Sequence, residues 1–108
     1  MNELPGPVQA VVDAINDGDT ERFVAAFTED GEVDDWGRVL TGRDGVRSWA
    51  HTDAIGQDAR MTVRSAETAG DTTTIEFDWA SKRFNGTSTA IVTVRDGLVS
   101  SFRIPPHS

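Results

Sequence analysis

Among the residues whose types allow proton chemistry, Asp35 has the most informative setting. It lies in Val33-Asp34-Asp35-Trp36-Gly37, where strand alternation puts Val33, Asp35 and Gly37 on one face and Asp34 and Trp36 on the other. If Val33 faces the core, Asp35 faces it too. A carboxylate among apolar side chains has its charged form disfavoured, which brings it toward the range useful for taking a proton from carbon. Two structural roles compete with this chemical one. Asp35 could cap the turn between Gly37 and Gly42, or it could pair with Arg38 or Arg43.

A proton acceptor needs walls that hold its substrate. Trp49 and Trp79 offer flat faces for a ring-containing ligand, and they serve equally well as core filling. Phe77 and Phe102, with Val11, Ile15, Val92 and Ile104, fit either wall or core. Trp36, opposite Asp35 by alternation, covers a pocket rim or a subunit contact. The candidate set is therefore Asp35 for catalysis, with Val11, Ile15, Trp49, Phe77, Trp79, Val92 and Phe102 around a substrate.

Other chemistries find little footing. His51 falls near the end of a helical segment, where it either complements the helix dipole or serves as an acid or base at the pocket mouth. His107 sits in the Pro105-Pro106-His107-Ser108 tail. Two histidines so placed form no metal site, and the acidic cluster Glu29, Asp30, Glu32, Asp34 and Asp35 lacks EF-hand spacing. No serine has a G-x-S-x-G context. Neither a G-x-G-x-x-G nor a Walker pattern occurs. Arg60, Arg64, Arg83 and Arg95 are scattered on strand faces among many acids and are expected to pair across strands.

The elements that must position these residues follow from periodicity. Val8, Val11, Val12 and Ile15 recur at helical spacing after Pro5 and Pro7, and Asn16-Asp17-Gly18-Asp19 ends that helix. Asp19 or Thr20 caps a second helix carrying Phe23, Val24, Ala26 and Phe27, which Glu29-Asp30-Gly31 is expected to break. A short strand follows over 32–36, then a turn bracketed by Gly37 and Gly42. A third helix carries Val46, Trp49 and Ala50.

The remainder reads as sheet. Ala59, Met61 and Val63 alternate with Arg60, Thr62 and Arg64, and Ile75, Phe77 and Trp79 alternate with Glu76 and Asp78. Ala90, Val92 and Val94 form another such face. Gly70-Asp71 and Asp96-Gly97 are hairpin turns. The last strand, 98–104, is expected to place Leu98, Ser100, Phe102 and Ile104 on one face. Three helices followed by consecutive antiparallel strands indicate a single α+β domain.

Composition narrows the partners. The chain has 108 residues, 37% of them hydrophobic, and no cysteine, so disulfides, thiolate catalysis and cysteine-ligated metals are excluded. A net charge of -8 repels phosphate backbones and anionic lipid. Nucleic acid and membrane are therefore not expected partners. With no apolar run of membrane-spanning length and no basic-then-apolar N-terminus, the expectation is a soluble protein of the cytoplasm.

Five local motifs in order resemble the NTF2-like superfamily, in its SnoaL-like and ketosteroid-isomerase-like branch. They are Asn16-Asp17-Gly18-Asp19, Phe27-Thr28-Glu29-Asp30-Gly31, Val33-Asp34-Asp35-Trp36-Gly37, Thr41-Gly42-Arg43-Asp44-Gly45-Val46 and Arg95-Asp96-Gly97-Leu98-Val99. The resemblance implies a cone: a curved antiparallel sheet wrapped around three N-terminal helices, open at one end to a small apolar molecule. It also implies a homodimer through the outer sheet face, and no cofactor. The superfamily includes isomerases, cyclases, dehydratases and epoxide hydrolases as well as non-catalytic binding and dimerisation modules, so a general-base enzyme and a ligand-binding module both stay open.

In the isomerases, a first-strand carboxylate is the general base, and Asp35 matches its position. Their oxyanion donors, a tyrosine and a protonated acid, fall by the same register at Val11 and near Ala90. The chain has no tyrosine. Steroid isomerisation by that route is thus not expected. An epoxide-hydrolase arrangement would draw on Asp78 and Arg103, which alternation turns away from the pocket face.

Overall fold

The computed structural model describes residues 4–82 and 84–106. Arg83 and His107 lie outside them. Helix α1, Gly6–Asp17, begins with Pro5 at its N-cap and a further proline within its first turn, and ends at Gly18 in the left-handed region (φ 69°). Its Val8, Val11, Val12 and Ile15 are all buried. Helix α2, Thr20–Ala25, is capped by Asp19, whose carboxylate accepts the Arg22 backbone N–H at 3.0 Å. Asn16 then ties α1 to the sheet, accepting from Met61 N at 2.7 Å and donating to Met61 O at 2.9 Å.

Strand β1 spans Phe27–Asp35, β2 spans Arg38–Thr41, and helix α3 spans Gly42–Asp53, with a 3-10 turn at Ile55–Gln57. Strands β3 (Arg60–Ala69), β4 (Thr72–Ala80), β5 (Asn85–Arg95) and β6 (Leu98–Ile104) complete the chain. The six strands make one sheet in the order β2-β1-β6-β5-β4-β3. All pairs are antiparallel except β1 with β6, which run parallel, so the sheet is mixed where a wholly antiparallel one was expected. The parallel pair arises because β6, the end of the meander, returns beside the first strand.

Three sequence expectations change. Glu29-Asp30-Gly31 does not stop a helix; it is an irregular stretch inside β1, where five residues of β1 span only two of β6. The segment between Gly37 and Gly42 is not a plain turn but strand β2, paired back onto β1 through Trp36-Gly37. In β6, Ser100 is an extra residue: Thr93 pairs with Ser101 and Val94 with Val99. This bulge switches side-chain parity, so Val99, rather than Leu98 and Ser100, is buried with Phe102 and Ile104.

The core lies between the concave sheet face and the helices. Phe23, Phe27 and Phe102 are fully buried, as are Val11, Ile15, Val33 and Val92. Each such side chain contributes about 1.5–3 kcal/mol of burial free energy. Helix α3 lies close on β2: a Cβ at Gly45 would come within 2.8 Å of the Leu40 carbonyl carbon, so glycine sets how near α3 approaches the sheet. That approach puts Trp49 against the sheet. Among the described residues, no helix is long and apolar enough to cross a membrane.

Candidate functional site

Asp35 is the last residue of β1, paired with Arg38 across the hairpin and with Ile104 across the parallel pair. Its side chain is 26% exposed. Trp49, buried on α3, donates its indole N–H to Asp35 Oδ2 at 3.1 Å. Arg38 Nη2 approaches the same oxygen at 3.8 Å. Both contacts use Oδ2, so Oδ1 is the oxygen left to meet a ligand. Of the two sequence alternatives for Asp35, the loose pairing with Arg38 is present. Arg43 instead donates to the Phe27 carbonyl at 3.1 Å, and the turn is capped by Asp34, which accepts from Gly37 N at 2.9 Å.

Asp35 opens onto a cavity of about 250 Å³. Trp49, Phe77 and Trp79 form its inner walls, with Ile104 beside Asp35 and Ser88 across from Phe77 in the β4–β5 register. Trp49 and Trp79 stand 6.1 Å apart between ring centroids, as do Phe77 and Trp79. Trp36 and Phe84 line its mouth, each more than half exposed. All three tryptophans of the chain therefore line one cavity. Pockets for drug-sized ligands run to roughly 300–1,000 Å³, so this one suits a compact molecule.

The candidate residues divide. The structure brings Asp35, Trp49, Phe77 and Trp79 to the cavity wall. Val11, Ile15, Val92 and Phe102 sit in the packed core instead. Phe102 stands behind the lining residue Trp49, at 5.9 Å between ring centroids.

Three lining residues, Asp53, Phe84 and Ser88, had not been singled out, while Trp36 stands at the rim, one of the two places expected for it. Asp53, on the last turn of α3, lines the cavity, forms an ion pair with Arg38 and accepts from Thr52 Oγ1 at 2.7 Å. It lies four residues after Trp49, on the same helix face, and that spacing was the signal. Phe84 is an aromatic in the polar segment Ser81–Asn85, whose Ser81 accepts from Phe84 N at 2.9 Å. Ser88, on the inward face of β5, is buried. Trp36, at φ 55°, holds a left-handed conformation that bulky residues seldom adopt. Its backbone N–H is fixed to Ile104 O at 2.9 Å.

The other polar groups are structural. Asp78 receives Arg64 at 2.8 Å and Thr87 at 2.9 Å on the outer sheet face, and Arg103 stands 3.8 Å from Asp34. Arg64 pairs across strands as expected. Arg60 does not: it donates to the Asn16 carbonyl at 2.9 Å, since its place at the start of β3 faces the end of α1. Arg95 holds Asp30 at 2.5 Å, and this contact, with Thr28, lowers the Asp30 pKa from its ordinary value. Among the described residues no cluster of His, Asp or Glu has the form of a metal site.

A curved sheet closed by three helices, with a carboxylate and aromatic walls at its open end, defines an α+β pocket fold of the NTF2-like type. The chain belongs to the SnoaL-like domain family, which matches residues 8–102. Its structure is similar to a Sinorhizobium meliloti protein provisionally named a polyketide cyclase (23% identity, TM-score 0.82, 94% of each chain covered). It is also similar to the Δ5-3-ketosteroid isomerase of a Mycobacterium species (16% identity, TM-score 0.82, 94% of this chain and 90% of that one). A third similar structure is a Catenulispora acidiphila protein of ketosteroid-isomerase-like fold in complex with trimethylamine (24% identity, TM-score 0.81, 96% and 87%). No curated protein sequence matches the chain.

Proposed function

We propose that the chain is a small-molecule pocket protein in which Asp35 acts as general base on a compact, largely apolar carbonyl substrate. One observation carries this reading: the Asp35 carboxylate, oriented by the Trp49 indole, faces an apolar aromatic cavity. In such a step Asp35 takes a proton from the carbon next to the carbonyl and delivers it to another carbon in isomerisation, to the new alkoxide in cyclisation, or to the departing hydroxyl in dehydration, which leaves as water. Ser88 places a hydroxyl on the lining. The likeness to a ketosteroid isomerase and to a provisional polyketide cyclase fits this chemistry.

Hydrogen exchange tests it. With 2-cyclohexenone in D2O, the wild type should speed incorporation of deuterium next to the carbonyl, and Asp35→Asn should abolish the gain. Equal exchange in the two proteins would sink the general-base reading.

A second reading, ligand binding without turnover, is favoured by Arg38 beside Asp35 and by the apolar Val11 and Ala90 where the isomerases carry oxyanion donors. In either case a homodimer through the outer sheet face is proposed. A single mass of one chain by light scattering at high concentration would rule it out.

A further inference from the structure

The aromatic rings of the concave face form a connected series that runs from core to cavity. Phe27 meets Phe23 at 5.1 Å between ring centroids, Phe23 meets Trp49 at 5.8 Å, Trp49 meets Trp79 at 6.1 Å, and Trp79 meets Phe77 at 6.1 Å. Trp49 is where the series changes character. On one side of it Phe23, Phe27 and Phe102 fill the closed end with Val11, Ile15 and Val92, all of them buried and away from the cavity lining. On the other side Trp79 and Phe77 are cavity wall.

Three constraints hold the Trp49 ring in that place. Gly45, one turn earlier on α3, lets the helix approach β2 so closely that a Cβ there would come within 2.8 Å of the Leu40 backbone. One face of the indole stacks on Phe23 at an interplanar angle of 27°. Its N–H donates to Asp35 Oδ2 at 3.1 Å. A ring pinned by its helix, its face and its edge in a close-packed interior does not swing aside to lengthen the cavity. The same hydrogen bond ties the carboxylate to the indole, so a carbon within reach of Asp35 also lies near this ring.

We propose that Trp49 is the specificity-determining residue of the site: it is the partition that ends the cavity and limits how much skeleton a substrate carries inward from the carbon that meets Asp35. The inference rests on the cavity being a small-molecule site and deepens that reading by naming the side chain that sets substrate size. The substrate class that follows is a one-ring carbonyl compound, seated against Trp49, Phe77 and Trp79. Removing the indole would join the cavity to a void of the ring's own size beside Phe23 and Phe102, because packed neighbours relax only in part.

Cyclohexanone and 2-decalone, which is cyclohexanone with a second ring fused to it, test this by NMR titration of the tryptophan indole N–H resonances. In Trp49→Ala the affinity for 2-decalone relative to cyclohexanone should rise about tenfold over the wild type, since the second ring gains apolar surface in the opened space. Free indole should refill that space, as apolar cavities take up rings that fit them, and return the ratio to its wild-type value. Trp49→Phe, which keeps a ring there, should leave the ratio near wild type. An unchanged ratio in Trp49→Ala, or one that indole does not reverse, would overturn the partition while leaving a small-molecule site intact. The wild type carries a test that needs no substitution in the core. Nuclear Overhauser contacts from bound cyclohexanone should reach the Trp49 and Trp79 rings, and contacts to Phe23 or the Val11 methyls would equally overturn the partition. If neither ketone binds the wild type, the small-molecule reading fails and the partition with it.

Discussion

The concave face of the sheet has two ends built from similar residues and put to different uses. At the closed end Phe23, Phe27 and Phe102 pack against Val11, Ile15 and Val92 with nothing exposed. At the open end Trp36, Phe77, Trp79 and Phe84 surround empty space beside two carboxylates. Trp49 belongs to both: its ring lies 5.8 Å from Phe23 and 5.9 Å from Phe102 on one side, and on the other it meets Trp79 and donates to Asp35. The difference teaches that hydrophobicity alone does not separate wall from filling. What separates them is where α3 and the 3-10 turn stop covering the sheet, and where acids come within reach of the apolar surface.

Substitutions on each side should break that contrast or sharpen it. The largest effect is expected in the filled end. Phe102→Ala should cost about 3–5 kcal/mol in urea unfolding, because a fully buried ring leaves a void its neighbours fill only in part. A loss below about 1 kcal/mol would mean that the closed end is itself a cavity able to collapse.

At the boundary, Trp49→Phe keeps most of the ring packing but removes the donor to Asp35. A cost of about 2 kcal/mol is expected, from a hydrogen bond to a charged group and the lost volume. At the rim, Trp36→Asn should do the reverse. Asparagine tolerates the left-handed conformation that the Trp36-Gly37 turn imposes, so stability should rise by about 1 kcal/mol while ligand affinity falls. A stability loss there would mean that Trp36 packs as core.

The smallest effect concerns acid. Arg95 and Thr28 hold the Asp30 carboxyl below its ordinary value in the fold, so their contribution is fully present above the unfolded carboxylate range and is lost as pH falls through the lowered value. Thermal melts of wild type and Asp30→Asn should therefore differ slightly at neutral pH and converge in strong acid. A difference that grows on acidification would invert the assignment.

Much of the fold was legible. The three helices carry their spacing openly, Asp19 announces the second, and β3, β4 and β5 alternate as half-buried strands must. Asp35 could be placed inward because Val33 beside it is unmistakably core. What stayed hidden depends on contacts distant in sequence. The parallel pairing of β1 with β6 leaves no local trace, and β2 is short and mostly exposed, so its residues lack an apolar pattern. The split of apolar candidates into cavity wall and core is likewise set by where helices end over the sheet, which the spacing within one strand does not encode. Asp53 was within reach of sequence reasoning, four residues from Trp49.

The bulge at Ser100 makes the length of β6 a matter of counting. Leu98 and Val99 are set by the Asp96-Gly97 hairpin, whereas Phe102 and Ile104 are set by β1 and the cavity, and the bulge takes up Ser100 so that Val99 and Phe102, three apart, face the same way. Loss of Ser100 itself would only remove the bulge, since Val99 and Phe102 would then stand two apart as in a regular strand, whereas loss of Arg103 would turn Ile104 away from the core. The same loss in the Gly70-Asp71 loop would disturb only a turn. Among variants of this gene, single-residue deletions should accumulate at the hairpin tips and be purged from the regularly paired part of β6 beyond the bulge.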